Sequence, residues 1–295
     1  MIDARFRTAV AMALLVWSMT PASAHAEKKY GPGVTDTEIK IGNTMPYSGP
    51  ASVYGTMGRA EAAYFRMIND RGGVNGRKIT FMSLDDAYSP PRTLEHTRKL
   101  VEHDNVLLVF SGFGTATNSA VHKYLNDRKV PQLFLISGAS KWGDPGHFPW
   151  TMGWQPTYHD EGRILARYLL ETRPTARIGV LYQKDDYGKD YVNGFRQGLG
   201  AKASAMIVKE VTYEVTDPTI ESQIVALRAS GADVFFDVSL AKFAAQAIRK
   251  SDDLGWRPLH LLNSIATGST DDDAVGLLEA AEPGLLTAIT RSSAR

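Results

Sequence analysis

Apolar residues follow two rhythms along this chain. Short, nearly continuous apolar runs alternate with longer stretches in which apolar residues recur every three or four positions. The runs predict strands over Glu38–Thr44, Lys78–Leu84, Val106–Phe110, Gln132–Ile136, Arg177–Leu181, Ala205–Val211, Val234–Asp237 and His260–Leu262. Val106-Leu107-Leu108-Val109-Phe110 is the clearest, because a strand apolar on both faces fits a parallel sheet covered by helices on each side. Between the runs, Val121, Tyr124 and Leu125 share one helical face, as do Ile164, Leu165, Tyr168 and Leu169, and again Ile220, Ile224 and Leu227. Ser89-Pro90 and Asp217-Pro218 each place a capping side chain before a proline suited to the first helical position. Gly72-Gly73 and Gly231 fit helix stops. Alternating strand and helix signals predict an α/β fold built from doubly wound, mostly parallel sheets.

The rhythm breaks near Pro145–Pro156, where Gly, Pro, Trp and His dominate. Strand–helix units precede the break and resume at Tyr158. This divides the chain into a first lobe of 36–151 and a second of 156–263, with a ligand cleft between them. Residues 268–295 do not continue the pattern. Gly268-Ser269-Thr270-Asp271-Asp272-Asp273 is polar, and the sequence shows no further strand–helix pairing, although Ala274–Ala281 would suit a divergent terminal helix.

The N-terminus changes the picture of where such a fold works. Arg5 and Arg7 precede an apolar run, Ala9–Met19, and two small-x-small sites follow, Ala22-Ser23-Ala24 and Ala24-His25-Ala26. That three-part pattern reads as a secretory signal over residues 1–26, too short in its apolar part to span a bilayer. The expected location is the periplasm. The chain has 0 cysteines, which removes thiol, zinc-finger and iron–sulfur chemistry, and a core of this size can do without disulfides. A formal net charge of +1 without a basic stripe argues against nucleic acid.

Catalytic motifs are mostly missing. There is no Gly-x-Ser-x-Gly elbow, no His-Glu-x-x-His and no phosphate-binding Gly-x-x-x-x-Gly-Lys. Gly112-Phe113-Gly114 lacks the third glycine of a dinucleotide fingerprint. His96 and His103 share a helix face without companion ligands, so a solvated face is the expectation. Asp85-Asp86 and Asp185-Asp186 sit at strand ends, where turns and helix caps use such residues, and acid–base work is the lesser reading. The stronger signal lies in two loops at strand C-termini. Ser111-Gly112-Phe113-Gly114-Thr115-Ala116-Thr117 opens a helix, so its free amides and hydroxyls suit a carboxylate. Ser137-Gly138-Ala139-Ser140 repeats the arrangement one strand later, with Tyr54 and Trp142 nearby in the expected topology.

The stretch Ile39–Ile79, with Ser48-Gly49-Pro50 and Tyr54-Gly55 at the strand-to-helix turn, resembles the opening of the periplasmic leucine/isoleucine/valine-binding proteins of ABC importers. The resemblance extends in blocks to Ser264. It implies two lobes closing on a ligand, with Tyr54 lining the cleft. It places Thr115 at a carboxylate-binding serine, and Gly138 and Ser140 at an amide and a hydroxyl for the same group. Asp186-Tyr187-Gly188 matches the turn whose aromatic ring closes from the second lobe. Where amino-acid-binding members hold the ligand ammonium with a glutamate, this chain has Ile265, and a second-lobe tyrosine corresponds to Ser239; Asp237 is the available substitute. The family continues past Asn263 with elements returning to the first lobe. None is recognisable here, so the chain reads as C-terminally truncated with a mobile tail, and its first lobe is expected to expose apolar faces.

The sequence thus reads as an exported, monomeric binding protein and not an enzyme, with no cofactor or metal. Its partners would be a small carboxylate-bearing ligand, a hydrophobic amino acid or an aromatic or aliphatic acid, and the membrane permease of an ABC importer. The ligand residues expected are Tyr54, Phe113, Thr115, Gly138, Ala139, Ser140, Trp142, Tyr187, Ser239 and Ile265. The competing readings are a non-functional fragment of such a protein, an enzyme using a cleft acid pair such as Asp85 with Asp186, and a receptor's ligand-sensing domain.

Overall fold

The computed structural model describes residues 30–267 and the strand Leu285–Thr287. The signal expected over 1–26 and most of the 268–295 tail lie outside the described residues.

Two five-stranded parallel sheets carry the chain. The first contains β1 (Glu38–Met45), β2 (Lys78–Asp85), β3 (Leu108–Phe110), β4 (Gln132–Leu135) and β5 (Thr151–Gly153), in the order β2-β1-β3-β4-β5. β1 and β2 pair over their full length, from Glu38↔Lys78 to Met45↔Asp85. The connecting helices are α1 (Gly55–Asp70), α2 (Pro90–Arg98) and α3 (Thr115–Asp127). The second sheet contains β6 (Ile178–Gln183), β7 (Ile207–Tyr213), β8 (Val234–Val238), β9 (Leu259–Leu262) and β10 (Leu285–Thr287), in the order β10-β9-β8-β6-β7. Its helices are α4 (Tyr158–Thr172), α5 (Asp186–Leu199), α6 (Glu221–Ala229) and α7 (Ala241–Asp253).

Two strands were not foreseen. β5 falls inside the Gly- and Pro-rich break, pairing Gln132↔Thr151 and Leu133↔Met152. β10 falls inside the tail, pairing Leu285↔His260 through Thr287↔Leu262, so strand pairing does resume after Gly268.

The second lobe is densely packed. Every residue of β8 is buried, Phe236 stacks on Phe195 at 4.3 Å, and Phe235 lies against Trp256 at 5.3 Å. α4 and α5 approach so closely that a Cβ on Gly194 would run into the backbone of His159. The first lobe is covered unevenly. Phe65 of α1 packs on Phe81 and Phe110, and Phe110 touches Phe134. Beyond α1 that face is open: Phe134, Met152 and Trp154 are 40%, 43% and 59% exposed. An irregularity in β4 between Leu133 and Leu135, with Phe134 at φ +56°, turns this ring outward.

Candidate functional site

The strand C-termini of the two sheets face each other, and the loops leaving them meet in a buried cluster of aromatic side chains, called the chamber below. After β1, the turn through Ser48-Gly49-Pro50 leads into a single 3-10 turn, Ser52–Tyr54, that delivers Tyr54 to the start of α1. The Tyr54 ring stacks on Phe113 at 4.4 Å and 21°. Its hydroxyl accepts the Ala241 N–H at 2.9 Å and donates to the Ile265 carbonyl at 3.1 Å, both in the second lobe. Tyr88, from the turn after β2, lies against the other edge of Phe113 and reaches Gln183 of the second lobe.

Thr115 is the first residue of α3. The chain enters that helix through Gly114 at φ +95°, a backbone conformation that favours glycine, and a Cβ there would strike the Tyr88 ring. The Thr115 hydroxyl lies 2.8 Å from Ser137 Oγ. Ser137 also accepts the indole N–H of Trp142 at 2.8 Å and the Ala139 amide at 3.3 Å. With both acceptor positions of Ser137 filled, its own proton is available to either Thr115 or Tyr158. The Tyr158 hydroxyl completes this group, within hydrogen-bonding reach of Thr115 and Ser137.

Tyr158 opens α4 immediately after the chain crosses between lobes. Its amide donates to Gly138 O at 2.7 Å, and a side chain on Gly138 would collide with Pro156 O and the Tyr158 ring. The Tyr158 ring stacks on Tyr191 at 4.6 Å and meets Tyr187 edge-on at 5.2 Å. Tyr187 sends its hydroxyl toward Ser239 O (3.1 Å) and Asn263 Oδ1 (3.0 Å). Tyr213 donates to Gln183 Oε1 at 3.1 Å and accepts the Leu240 amide at 3.0 Å. Burial raises the pKa of every one of these phenols, Tyr158 to about 12, so all are neutral and serve as hydrogen-bonding groups.

Of the expected site residues, Tyr54, Phe113, Thr115, Trp142 and Tyr187 are linked through this chamber. Ala139 is buried beside them, and Gly138 contributes clearance and its carbonyl. Ile265 presents its backbone carbonyl. Ser239 is fully buried, its carbonyl taking Tyr187 and Asn263 while its Oγ has no partner among the described residues. Ser140 lies elsewhere. It is exposed at the rim, where both its amide and its hydroxyl go to Asp190 of α5. Thr115 and Tyr54 thus lie together in the buried cluster, whereas Ser140, expected beside them, lies at the rim. The cause is the 3-10 turn at Ser140–Gly143, which carries residue 140 outward and returns Trp142 inward.

The aspartate pairs have structural duties. Asp86 bonds the Tyr88 amide and Thr93 hydroxyl at the start of α2, and Asp185 caps α5 through the Gly188 amide. Asp85 binds Ser48 and Ala87, and Asp186 binds Lys141. His96 contacts Asp85 O rather than a second histidine. Asp237 is buried with Oδ2 on His260 at 3.1 Å and Oδ1 unpartnered among the described residues.

The residues missed from sequence are Ser137 as the hub, Tyr88, Tyr158, Tyr191, Tyr213 and Glu161. Glu161 takes the Ser264 amide at 2.8 Å, the Ser264 hydroxyl at 2.7 Å and the Tyr191 hydroxyl at 2.7 Å, joining α4 to the segment after β9. Burial raises its pKa, and these bonds offset part of the rise. Tyr191, four residues after Tyr187 on a helix, was the legible member of this group.

Comparison with known proteins places this architecture. The family model described as periplasmic binding protein matches residues 38–290. The Leu/Ile/Val-binding protein homolog 1 of Brucella suis biovar 1 is 24% identical over 223 residues, covering 74% of this chain and 58% of its own length. A fatty acid ABC transporter substrate-binding protein from Thermomonospora curvata superposes with a TM-score of 0.74 at 22% identity, over 88% of this chain and 65% of that one. A branched chain amino acid ABC transporter protein from Thermus thermophilus with bound valine gives a TM-score of 0.74 at 17% identity, over 86% and 65%. The chain spans less than two thirds of the length of each of these three proteins. By the match over residues 38–290 and the two facing parallel sheets, the chain belongs to the periplasmic binding protein family.

Proposed function

We propose that this chain is the exported substrate-binding component of an ABC importer, taking a small carboxylate-bearing ligand by closure of one lobe on the other. The observation that carries this reading is the chamber itself. Stacked phenols from both lobes surround a buried relay of hydroxyls, Thr115–Ser137–Tyr158, at the strand C-termini where open α/β sheets bind ligands. Thr115, with a hydroxyl proton to give, anchors one carboxylate oxygen, and the rings hold the apolar body. Tyr54, spanning the lobes through Ala241 and Ile265, couples ligand entry to hinge motion. Valine and fatty acids, named for the two structural neighbours, both carry a carboxylate joined to an apolar body.

The ligand class follows from what surrounds the chamber. Ile265 offers no side-chain acceptor, and Glu161 is already taken by three donors. An ammonium group buried without a carboxylate partner is costly. We therefore assign a preference for acids lacking an α-amino group. One observation supports the other reading: Asp237 Oδ1 has no partner among the described residues and offers itself to an ammonium.

Thermal shift and calorimetry with leucine, 4-methylpentanoate, benzoate and octanoate test both readings, since binding to the folded form raises the melting temperature. A rise with the acids and little with leucine is expected. Tighter binding of leucine than of 4-methylpentanoate, lost in Asp237→Asn, overturns the ligand preference. Turnover of any of these compounds overturns the binding-protein assignment.

A further inference from the structure

α5 divides its first turns between two tasks. Tyr187 and Tyr191 face the chamber, while Asp186 and Asp190, also four residues apart, face the rim. Opposite them, the segment after β4 is divided in the same way. Ser137 and Trp142 face inward, and Ser140 and Lys141 face the rim. The rim residues meet across the lobe boundary. One Asp190 oxygen accepts the Ser140 amide at 2.8 Å and the other accepts the Ser140 hydroxyl at 2.6 Å. Lys141 Nζ reaches Asp186 Oδ2 at 2.8 Å while lying 5.1 Å from the Trp142 ring centroid.

We propose that Asp190 and Ser140 form a clasp that holds the lobes together over the chamber, with Lys141–Asp186 as its second point, so that Asp190 is a positioning residue for ligand capture. This rests on the hinge-closure reading above. The physical argument is one of satisfaction and leverage. Two donors of one residue engage both oxygens of one carboxylate, an arrangement stronger than neutral hydrogen bonds and demanding in geometry. Opening the lobes breaks both bonds at once. The clasp is one residue away from chamber walls on each side, Ala139 on the first lobe and Tyr191 on the second, so rim and chamber move as one. Ser140 therefore acts on the ligand through Asp190 and not by touching it. The Lys141–Asp186 pair, more exposed, adds a contribution that salt screens.

Because the chain has 0 cysteines, Lys123→Cys on α3 and Lys202→Cys in the second lobe give two unique dye sites for single-molecule energy transfer on the full chain. Asp190→Ala is expected to lower the closed population about ten-fold, the scale of losing hydrogen bonds to a charged group, and Ser140→Ala, which keeps the backbone amide bond to Asp190, is expected to lower it less. The double variant should lose no more than Asp190→Ala alone. Ser140→Thr, which keeps both donors, should restore closure, and raised salt should lower it further only while Lys141 and Asp186 are intact. Equal interlobe distances in Asp190→Ala and the parent, with Tyr54→Phe shifting them, overturn the clasp and leave the hinge. Distances that no variant moves overturn the hinge reading and the clasp together.

Discussion

The phenol oxygen of Tyr54 lies 2.9 Å from the backbone nitrogen of Ala241, so a first-lobe side chain caps the first amide of α7 in the second lobe. Helix N-terminal amides have no partner within their own helix, and this one is served from across the cleft. Tyr54→Phe keeps the stack on Phe113 but strands the Ala241 N–H and the Ile265 carbonyl. The expected cost is about 1–3 kcal/mol of stability, read by urea unfolding, because buried polar groups lose their partner. Faster amide exchange at Ala241 should accompany it; a variant with parental stability and exchange would remove the latch.

Thr115→Ala should weaken ligand binding by about 1–3 kcal/mol, the cost of leaving a charged acceptor short of a donor. Thr115→Ser should retain most of the affinity. Calorimetry with the tightest acid of the panel checks this, and equal affinity in Thr115→Ala takes Thr115 out of the site.

Half-buried Glu61 and buried His122 give pH dependences of opposite sign. Burial, offset in part by Ser111, lifts Glu61 from 4.5 to about 7. The folded state therefore holds this proton more tightly. Its contribution to stability is full below pH 4.5 and is lost as the pH rises through about 7. Glu61→Gln should remove that decline. His122, stacked on Phe148 at 3.9 Å and edge-on to Trp142, is lowered from 6.5 to about 4 by burial and then by Lys141. Its contribution is full above pH 6.5 and fades as the pH falls through about 4. Urea unfolding of Glu61→Gln and His122→Leu from pH 4 to 8 separates the two slopes; parallel curves for parent and both variants would contradict them.

Gly194→Ala puts a methyl group into the His159 backbone at the α4–α5 crossing. Overpacking of this kind costs about 1–3 kcal/mol, and a lowered melting temperature should report it. An unchanged melt would show that the helices separate more readily than their packing implies.

The open face of the first sheet should associate. Phe134, Met152 and Trp154 are exposed apolar side chains on or beside β4 and the edge strand β5, and exposed apolar side chains at a sheet edge invite pairing and aggregation. Sedimentation velocity should show concentration-dependent self-association that Met152→Lys reduces. A parent that stays monomeric at high concentration would count against this.

Much of the fold was legible because Val106–Phe110 and Val234–Phe236 are continuous apolar runs, and strand signals of this kind alternate with helical spacing along the chain. β5 was not, since Thr151–Gly153 gives only three residues of pattern among prolines and tryptophans. β10 is equally short, Leu285–Thr287, and too brief to register as a strand after the polar Gly268–Asp273 stretch. In the site, Tyr54 and Thr115 were readable from their place at the start of a helix following a strand. Ser140 was misplaced because a single 3-10 turn decides which way it points, and local sequence does not record that direction. Ser137, Tyr158 and Glu161 became visible through partners far along the chain, such as Ser137 with Thr115 or Glu161 with Ser264.

The alternation along α5 also limits how this chain can tolerate length changes. An α-helix turns about 100° per residue, so one residue inserted between Gln183 and Asp185 would be absorbed by the loop, whereas one inserted between Tyr187 and Asp190 would swing everything after it by that angle. Asp190 would leave the rim and Tyr191 would leave its stack in the same event. Insertions and deletions across Asp186–Tyr191 are therefore far more damaging than single substitutions there, and alignments of relatives should keep this turn free of gaps even where the flanking loops vary in length.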